Sequence, residues 1–372
     1  MSKLTKYKFS DLYEMSSGIS SSKAQSGHGS PFVSFSTVFN NYFLPEELSD
    51  LMNTSIKEQE IYSVKKDDVF ITRTSETVDA LAMSCVATKD YPKATFSGFV
   101  KRLRPKTTGI VYSKYIAFFL RSKYFRKVLD CNTIMTLRAS FNEDIFSFLY
   151  VYLPDYEEQV RIGDLLYKIE MKVRTNNKIN DNLLAMAYDI YMYSFYGRIP
   201  NGKLKDILAE ADKSSVQVGE AKQSTGEYPF FTSGSAILKW DTSFVNGRNC
   251  FLNTGGNADV KFYVGEAAYS TDTWCISSNK NMSDYLYLLL ISIKPELNQK
   301  FFQGTGLKHL QKPLLKDRHI YIPDFEELQI FNEQVNPMFN VISENTRENQ
   351  ELIALRDWLL PMLMNGQATI ND

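Results

Sequence analysis

Long hydrophobic runs are missing from this sequence. The longest, 145–153 and 285–293, each contain a serine and are far shorter than the ~20 residues that cross a bilayer. Residues 1–14 mix lysines and acidic residues with scattered apolar ones, so they do not read as a secretory signal. We therefore expect a cytoplasmic protein without a membrane partner.

Cysteine and histidine are scarce. The four cysteines lie tens of residues apart without a C-x-x-C pair, so we predict buried thiols and neither a disulfide framework nor a zinc site. The three histidines are too dispersed for a metal-binding triad, so no metal site is predicted. These residues are Cys85, Cys131, Cys250, Cys275, His28, His309 and His319.

Glycine-rich phosphate-binding motifs are also absent. Neither G-x-x-x-x-G-K-[ST] nor a complete G-x-G-x-x-G occurs, because Gly304-Thr305-Gly306 continues into Leu307 and Lys308. We therefore predict no bound nucleotide cofactor and no nucleotide-driven chemistry in this chain.

The composition is that of an ordinary globular protein. Of 372 residues, 44% are hydrophobic and 23% are charged, which suits about two to three domains. The net charge is −1. Any polyanionic partner must therefore be met by a local basic surface and not by the field of the whole protein.

An internal repeat is the strongest signal. The segment 152–158, Tyr-Leu-Pro-Asp-Tyr-Glu-Glu, returns 169 residues later as Tyr-Ile-Pro-Asp-Phe-Glu-Glu at 321–327. Upstream, 9–12 loosely resembles 204–207, and 31–34 resembles 229–232. The chain is therefore two copies of one unit, each with a variable part followed by a more similar part.

The similar part predicts a long helix in each copy. Seven-residue spacing marks a coiled-coil seam, and Asp155 and Asp324 are suited to cap the helix starts. Each helix should end near Gly197 or Gly366, giving about 40 residues and a rod of roughly 60 Å. We expect Pro337 to kink or break the second helix. The seam positions are Ile162, Ile169, Asn176, Leu183 and Ile190, then Phe331, Met338, Asn345, Leu352 and Leu359.

A helix with one apolar stripe needs a partner, and two tandem copies suit an antiparallel pair in which Asn176 faces Asn345. The variable parts read as mixed α/β domains, each with a helical stretch, 113–129 and 283–302. The expected fold is α+β with two tandem units. Its parts are variable domain 1 at 1–154, long helix 1 at 155–199, variable domain 2 at 200–322 and long helix 2 at 323–372.

A basic run lies in the first variable part. Residues 96–127 contain nine lysines and arginines and no acidic residue, interleaved with aromatics. This pattern predicts an amphipathic helix that presents cations to DNA phosphates, although a solvated basic face is the simpler alternative. The basic residues are Lys101, Arg102, Arg104, Lys106, Lys114, Arg121, Lys123, Arg126 and Lys127.

Polar loops in both variable parts supply candidate base-reading side chains, because such side chains can offer donors and acceptors to base edges. Segments 134–141 and 305–311 occupy comparable places in the two copies. The candidates are Lys23, Gln25, Ser26, His28, Arg73, Thr74, Ser75, Thr136 and Arg138, then Lys213, Gln217, Thr232, Ser233, Asn253, Thr254, Asn257, Thr305, Lys308 and His309.

On these residues the chain resembles the DNA-specificity subunits of Type I restriction-modification systems. The resemblance is carried by Leu-Pro-Asp-Tyr-Glu-Glu-Gln at 153–159, its copy at 322–328, and Leu-Arg-Asp-Trp-Leu-Leu-Pro-x-Leu-x-Asn-Gly at 355–366. Two departures concern the second helix: Gln159 is replaced by Leu328, and Pro337 has no counterpart.

The resemblance implies a non-catalytic protein that binds double-stranded DNA. Each variable domain would read half of a split target, and the helices would set the half-site separation. The helices would also dock two methyltransferase subunits, which bring S-adenosylmethionine. A motor-nuclease restriction subunit using ATP and magnesium would complete the complex.

Three alternatives remain. The first is the specificity subunit of a Type IIB-like system, in which methyltransferase and nuclease are fused. The second is a stand-alone nuclease using Asp155, Glu170 and Lys172, but the second copy has Phe339 and Val341 at the last two places, so solvated charges are the simpler interpretation. The third is a coiled-coil scaffold, which the basic run disfavours.

Overall fold

A computed structural model describes residues 4–20, 22–75, 81–132 and 139–370, without the side chains of 23, 130–132 and 139. The chain divides into two compact units. Unit 1 comprises Met1–Met171 with Leu352–Asp372, and unit 2 comprises Lys172–Glu351. Among the described residues, no helix combines the length and apolar character required to span a membrane.

Unit 1 contains one variable part and its flanking helices. The helices are α1 Phe9–Leu12, α2 Phe35–Asn40, α3 Ile56–Ile61, α4 Ser113–Phe119, α5 Lys123–Asn132 and α6 Glu143–Phe148, followed by the start of α7 Tyr156–Phe195. The strands are β1 Thr5–Lys8, β2 Tyr13–Ser17, β3 Ser26–Val33, β4 Leu51–Met52, β5 Val69–Thr72, β6 Thr74–Ser75, β7 Ser84–Val86, β8 Thr95–Phe96, β9 Val100–Pro105, β10 Ala139–Ser140 and β11 Tyr150–Leu153.

Unit 2 contains the other variable part. The helices are α8 Val218–Ala221, α9 Ser283–Ser292, α10 Lys294–Glu296 and α11 Lys312–Lys316, followed by the start of α12 Phe325–Met364. The strands are β12 Gly202–Lys203, β13 Ala209–Glu210, β14 Tyr228–Phe231, β15 Ile237–Trp240, β16 Arg248–Asn253, β17 Val260–Val264, β18 Ala268–Tyr269, β19 Thr273–Ser277, β20 Phe302–Gln303, β21 His309–Leu310 and β22 His319–Ile320.

The two variable parts share one topology despite their loose sequence similarity. Each has a four-stranded antiparallel sheet, in the order β2-β9-β5-β7 in unit 1 and β13-β19-β16-β17 in unit 2. Each also has a three-stranded sheet, β4-β3-β8 or β15-β14-β18, in which the last pair is parallel. The repeat deduced from the sequence therefore extends through the whole unit.

Equivalent backbone hydrogen bonds near the start of each variable part support this repeat. The amide of Phe9 donates to the Leu149 carbonyl at 2.8 Å, and the amide of Leu204 donates to the Arg318 carbonyl at 3.0 Å. Both apolar side chains, Phe9 and Leu204, are buried. The weak resemblance between 9–12 and 204–207 thus marks one structural position, a buried residue that starts a short helical turn.

Both long helices start and end as the sequence predicts. Asp155 accepts a hydrogen bond from the Glu158 amide at 2.8 Å, and Asp324 accepts one from the Glu327 amide at 2.9 Å. Such caps satisfy amides that have no partner within the helix. Past each C-terminus, Gly197 and Gly366 adopt φ values of 78° and 66°, a left-handed conformation that favours glycine.

The helices α7 and α12 pack antiparallel within each unit. In unit 1, Ile162 and Leu166 of α7 share a core with Leu360 and Leu363 of α12. In unit 2, the C-terminal part of α7 and the N-terminal part of α12 share a second core. Of the predicted seam positions, Ile162, Ile169, Asn176 and Phe331 are buried, and Leu183, Ile190, Met338, Asn345, Leu352 and Leu359 are half-buried.

The asparagines of the seam do not pair as predicted. Asn176 donates to Asn349 at 2.9 Å, and Asn345 donates to Asn180 at 2.8 Å. Asn349 in turn donates to Asn177 at 2.9 Å. The expected pairing of Asn176 with Asn345 is therefore wrong by about one helical turn. Equivalence by repeat does not fix the stagger of two antiparallel helices, which is set by the packing of the whole seam.

Two other helix expectations also need correction. Of the kink or break expected at Pro337, the break is wrong: α12 continues from Phe325 to Met364, so the one hydrogen bond that proline removes does not end a helix of 40 residues. The stretch 113–129 is two helices, α4 and α5, and 283–302 is interrupted after Ser292, just before Pro295.

The cysteines that the structure describes are buried, as predicted. Cys85, Cys250 and Cys275 lie inside, and Cys131 falls outside the described side chains. Burial raises the pKa of the Cys275 thiol to about 12 and raises that of Cys250 well above its usual value. These thiols are therefore apolar packing groups at neutral pH.

The asparagine layer yields a stability prediction. Replacing buried Asn176 with Leu removes the donor to Asn349 and Glu348, so we expect the free energy of unfolding to fall by about 1–3 kcal/mol. Adding Asn349→Leu should recover part of this loss because an apolar pair replaces a half-satisfied one. Urea unfolding of the full chain measures both, with exposed Asn182→Leu as control. A double variant no more stable than Asn176→Leu would contradict the pairing.

Candidate nucleic-acid interface

One edge of unit 2 gathers its predicted base-reading loops. Backbone hydrogen bonds link them in series: Ser270 to Phe231, Thr271 to Val216, and Thr254 to Asp272. The loop after β20 joins this series, because the Gly256 amide donates to Lys308 at 2.9 Å and the Leu310 amide donates to Thr254 at 3.0 Å. We call this edge the unit 2 rim, comprising 213–217, 232–234, 253–257, 270–273 and 304–309.

The exposed side chains of the unit 2 rim are mainly polar or cationic. Ser233 and Thr254 are half-buried at its base. The rim therefore offers hydrogen-bonding groups and positive charge on its loops. The series of backbone hydrogen bonds that holds these loops together is called the rim ladder below. The exposed predicted residues are Lys213, Gln217, Asn257, Thr305, Lys308 and His309.

Two residues of this rim that the sequence predicts to contact bases stabilise the loops instead. Thr232 is buried and donates to the carbonyls of Gly234 and Ala236. Asn253 is buried and donates to the carbonyls of Gly255 and Asn257. Both side chains shape the loops from inside, so their polar groups are not offered to a ligand.

Unit 1 has the same ladder at the equivalent edge. The amides of Ser97, Gly98 and Arg73 donate to the carbonyls of Val33, Ile19 and Phe99 at 3.0, 2.7 and 2.9 Å. The Phe141 amide closes the series on the Arg73 carbonyl at 2.8 Å. We call this edge the unit 1 rim, comprising 17–20, 73–75, 97–100 and 139–141.

The residues of unit 1 that the sequence predicts to contact bases lie partly on this rim and partly on or next to strand β3. Arg73 is exposed on the rim, with Thr74 and Ser75 half-buried beside it. His28 and Ser26 are exposed on β3, while Gln25 just before it is half-buried. Thr136, Arg138 and the side chain of Lys23 lie outside the described part of the chain.

Three cations of the basic run point into the protein from strand β9. Lys101 is buried against Ser17 and Glu143, and Arg102 is buried with its guanidinium on the Ser63 carbonyl at 2.6 Å. Arg104 forms a two-pronged ion pair with Asp68, both contacts at 2.7 Å. All three cationic groups are therefore engaged inside the protein and are not presented to a ligand.

The electrostatics of β9 reflect this enclosure. Burial lowers the pKa of the Arg102 guanidinium, whereas the hydrogen bonds to Asp68 raise the pKa of Arg104. Asp68 is fully buried and needs that partner, because an unpaired buried carboxylate is costly. This part of the basic run stabilises the sheet.

The helical part of the basic run splits in the same way. Arg121 donates to the carbonyls of Ser84, Val38, Phe39 and Asn41 at 2.7–3.0 Å. Arg126 donates to the carbonyls of Leu81, Ala82 and Leu120. Lys123 and Lys127 are exposed. The expected continuous cationic face is therefore reduced to these two lysines and Lys106, because backbone carbonyls accept the donors of both arginines.

The nuclease alternative finds its residues otherwise engaged. Asp155 caps α7, and Glu170 accepts from Arg356 at 3.0 Å. Within unit 2, Lys172 pairs with Glu348 at 3.1 Å. Over the described residues, no group of three or more His, Cys, Asp or Glu side chains is arranged to hold a metal ion.

The turns 97–100 and 270–273 are rim components that sequence reasoning missed. In each, the fourth amide donates to the first carbonyl, at 2.9 Å for Val100 and 3.0 Å for Thr273. Both turns connect a parallel strand to the central strand of the four-stranded sheet. Their short sequences, Ser-Gly-Phe-Val and Ser-Thr-Asp-Thr, share too little to signal equivalence.

The stabilising role of Arg121 can be tested by substitution. We expect Arg121→Ala to lower the free energy of unfolding by about 3 kcal/mol, because it leaves a cluster of carbonyls without their donor. Lys123→Ala, at an exposed position of the next helix, should change it by less than about 0.5 kcal/mol. Urea unfolding compares the two, and equal stability of both variants would refute the structural task of Arg121.

Known proteins resemble this chain over most of its length. It matches the family described as Type I restriction modification DNA specificity domain over residues 1–185 and 200–354. It is 21% identical over 334 residues to the Type I restriction enzyme MjaIX specificity subunit of Methanocaldococcus jannaschii, covering 77% of this chain and 76% of that protein. Over 154 residues it is 22% identical to the EcoDI specificity subunit of Escherichia coli, covering 40% of this chain and 34% of that subunit.

A solved structure supports the fold. The S subunit of a Type-I restriction-modification system from M. genitalium superposes with a TM-score of 0.64 at 12% identity, covering 97% of this chain and 96% of that one. The expected architecture of two recognition units joined by paired long helices is confirmed. The resemblance seen in the helix-opening segments is confirmed over both copies. The chain belongs to the Type I restriction-modification DNA specificity family.

Proposed function

We propose that this chain reads a split DNA target, with one half-site bound by each rim, and directs partner methyltransferase and restriction subunits to it. Membership of the specificity family makes it a DNA-recognition component, without a catalytic role of its own. The observation that carries the split target is the rim ladder, which is built twice from the same backbone bonds.

Equivalent rim positions carry different side chains. Arg73 in unit 1 corresponds to Thr254 in unit 2, because each donates its amide to the middle of the neighbouring turn. Phe99 corresponds in the same way to Asp272. A shared scaffold with different exposed groups suits two recognition sites of the same geometry and different sequence preference.

Charge on the rims supports DNA as the ligand. The unit 2 rim exposes Lys213, Lys308 and His309, and the unit 1 rim exposes Arg73. With a net charge of −1, the protein has no uniformly positive surface, so phosphate contacts must come from local cations such as these. Phosphate contacts of this kind give affinity, while the adjacent polar loops give sequence preference.

Exposed apolar residues on the long helices support two copies of one partner. In unit 2, α7 exposes Met186 and Tyr193, the latter at 96%. In unit 1, α12 exposes Leu355, the repeat equivalent of Met186, and Trp358 at 64%. One equivalent apolar position, Met186 on α7 and Leu355 on α12, is exposed on each helix, which suits the docking of two identical methyltransferase subunits that bring S-adenosylmethionine. A restriction subunit using ATP and magnesium completes the proposed complex.

Selection from random-sequence duplexes tests the split target. The full chain, co-purified with its methyltransferase subunit, should enrich duplexes with two fixed blocks separated by a spacer of fixed length and free sequence. Enrichment of a single continuous block would contradict the proposal. Absence of any enrichment by a complex that binds duplex would favour a scaffold role.

The unit 2 lysines yield a prediction on salt dependence. Replacing Lys213 and Lys308 with Ala should weaken binding to all duplexes and lower the slope of log K against log salt by about two, one for each lost phosphate contact. The control is Lys280→Ala, an exposed lysine beyond the opposite end of β19. If the double variant keeps the slope of the unaltered protein, these lysines do not contact phosphates.

The spacer role of the helices yields a second prediction. Inserting one heptad at matching points of α7 and α12 preserves the seam and adds about 10 Å of helix. We expect the preferred spacer between half-sites to lengthen by about three base pairs, with both half-sites unchanged. Selection on random duplexes reads out both quantities. Altered half-sites with an unaltered spacer would refute the spacer role.

A further inference from the structure

Each rim exposes one large apolar side chain among polar neighbours. Phe99 of the unit 1 rim is 66% exposed, and Leu307 of the unit 2 rim is 65% exposed. Phe99 lies beside Arg73 and follows the turn residues Ser97 and Gly98. Leu307 lies between Gly306 and Lys308 at the tip of the loop joining β20 and β21.

The backbone holds Phe99 in a fixed position. Its amide donates to the Ser97 hydroxyl at 3.2 Å, and its carbonyl accepts from Arg73 at 2.9 Å. A Cβ at the preceding Gly98 would lie 2.9 Å from the Ile19 carbonyl oxygen, so only glycine permits this approach. An aromatic ring on so constrained a turn is presented with little conformational freedom to lose on binding.

Leu307 is held by a comparable arrangement. Gly304 has a φ of 151°, and a Cβ there would lie 2.5 Å from the Leu307 carbonyl oxygen. The flanking Lys308 carbonyl accepts from Gly256 at 2.9 Å, which fixes the loop against 253–257. The leucine is therefore displayed by a tight loop whose glycine cannot be replaced without strain.

The scaffold itself does not require these apolar groups. The position equivalent to Phe99 in unit 2 is Asp272, exposed on the same turn with the same backbone bonds. An aromatic ring in one copy and a carboxylate in the other indicate that this position serves recognition and not folding. Apolar groups on a DNA-facing surface have one sequence-specific counterpart in the major groove, the C5-methyl of thymine.

We infer that Phe99 and Leu307 each contact a thymine methyl group, one in each half-site. This inference rests on the proposed function and names residues that set the sequence preference of each rim. The neighbouring Arg73, Thr305 and Lys308 provide donors and acceptors, which combine with apolar contact in major-groove reading. Insertion of the apolar side chains between base steps would instead kink the duplex from the minor groove, where the sequence code is degenerate.

Deoxyuridine substitution tests the contact, because it removes the methyl group and leaves base pairing intact. The full chain with its methyltransferase subunit is titrated with selected duplexes in which each thymine is replaced singly. We expect one position in each half-site to lose about fourfold in affinity, the value of one buried methyl-sized group. Phe99→Ala should cause a similar loss on the thymine duplex and no added loss on the matching deoxyuridine duplex.

Leu307→Ala should behave in the same way with the other half-site only, so each variant serves as a control for the other. Phe148→Ala, an equally large change at a residue of unit 1 that is 72% exposed outside the rim, should leave affinity unchanged. Thermal unfolding of the three variants checks that each remains folded.

The outcomes separate this inference from the proposed function. If no duplex is selected, the proposed function fails. If selected duplexes bind but no deoxyuridine position matters, or Phe99→Ala loses affinity equally on thymine and deoxyuridine duplexes, methyl contact is refuted while the split target stands. Equal losses together with altered duplex bending would identify a wedge instead.

Discussion

The apolar stripe of each long helix must be buried, and each long helix buries its stripe against the other long helix. One stripe of about 40 residues cannot be stable alone in water. In unit 1 the start of α7 packs against the end of α12. In unit 2 the end of α7 packs against the start of α12. The cores of both recognition domains include these helices, so domain folding and helix pairing depend on one another. The asparagine layer around Asn176 and Asn349 adds directional bonds to this apolar seam and favours the stagger that the packing sets.

In both rims the backbone scaffold is independent of the exposed side chains. Backbone amides and carbonyls build the ladder, and they require nothing of the side chains except glycine at close approaches such as Gly98. Exposed positions can therefore change without loss of the fold. Arg73 against Thr254 and Phe99 against Asp272 illustrate that freedom. Buried polar groups such as Asn253, by contrast, are tied to loop shape. The proposed reading of two different half-sites by two copies of one unit would require this division.

Periodicity and capping chemistry were sufficient to predict the long helices, because both depend on local spacing. Asp155, Asp324, Gly197 and Gly366 occupy the predicted ends of α7 and α12. Charge patterning was not sufficient to predict the interface. Arg121 and Arg104 look like surface cations in the sequence. In the structure, Arg121 donates to backbone carbonyls and Arg104 pairs with a buried carboxylate, and both partners are distant in sequence. The stagger of Asn176 and the continuity of α12 at Pro337 likewise depend on packing across the seam, which no single segment encodes.

We propose above that this chain confers a split DNA specificity on its partner enzymes. Methylome sequencing of cells that express its methyltransferase subunit, with and without this chain, tests it most directly. We expect methylation at a two-part motif, with a spacer of fixed length, only when the chain is present. Methylation of one uninterrupted motif, or no new motif despite a soluble complex of the two proteins, would contradict it.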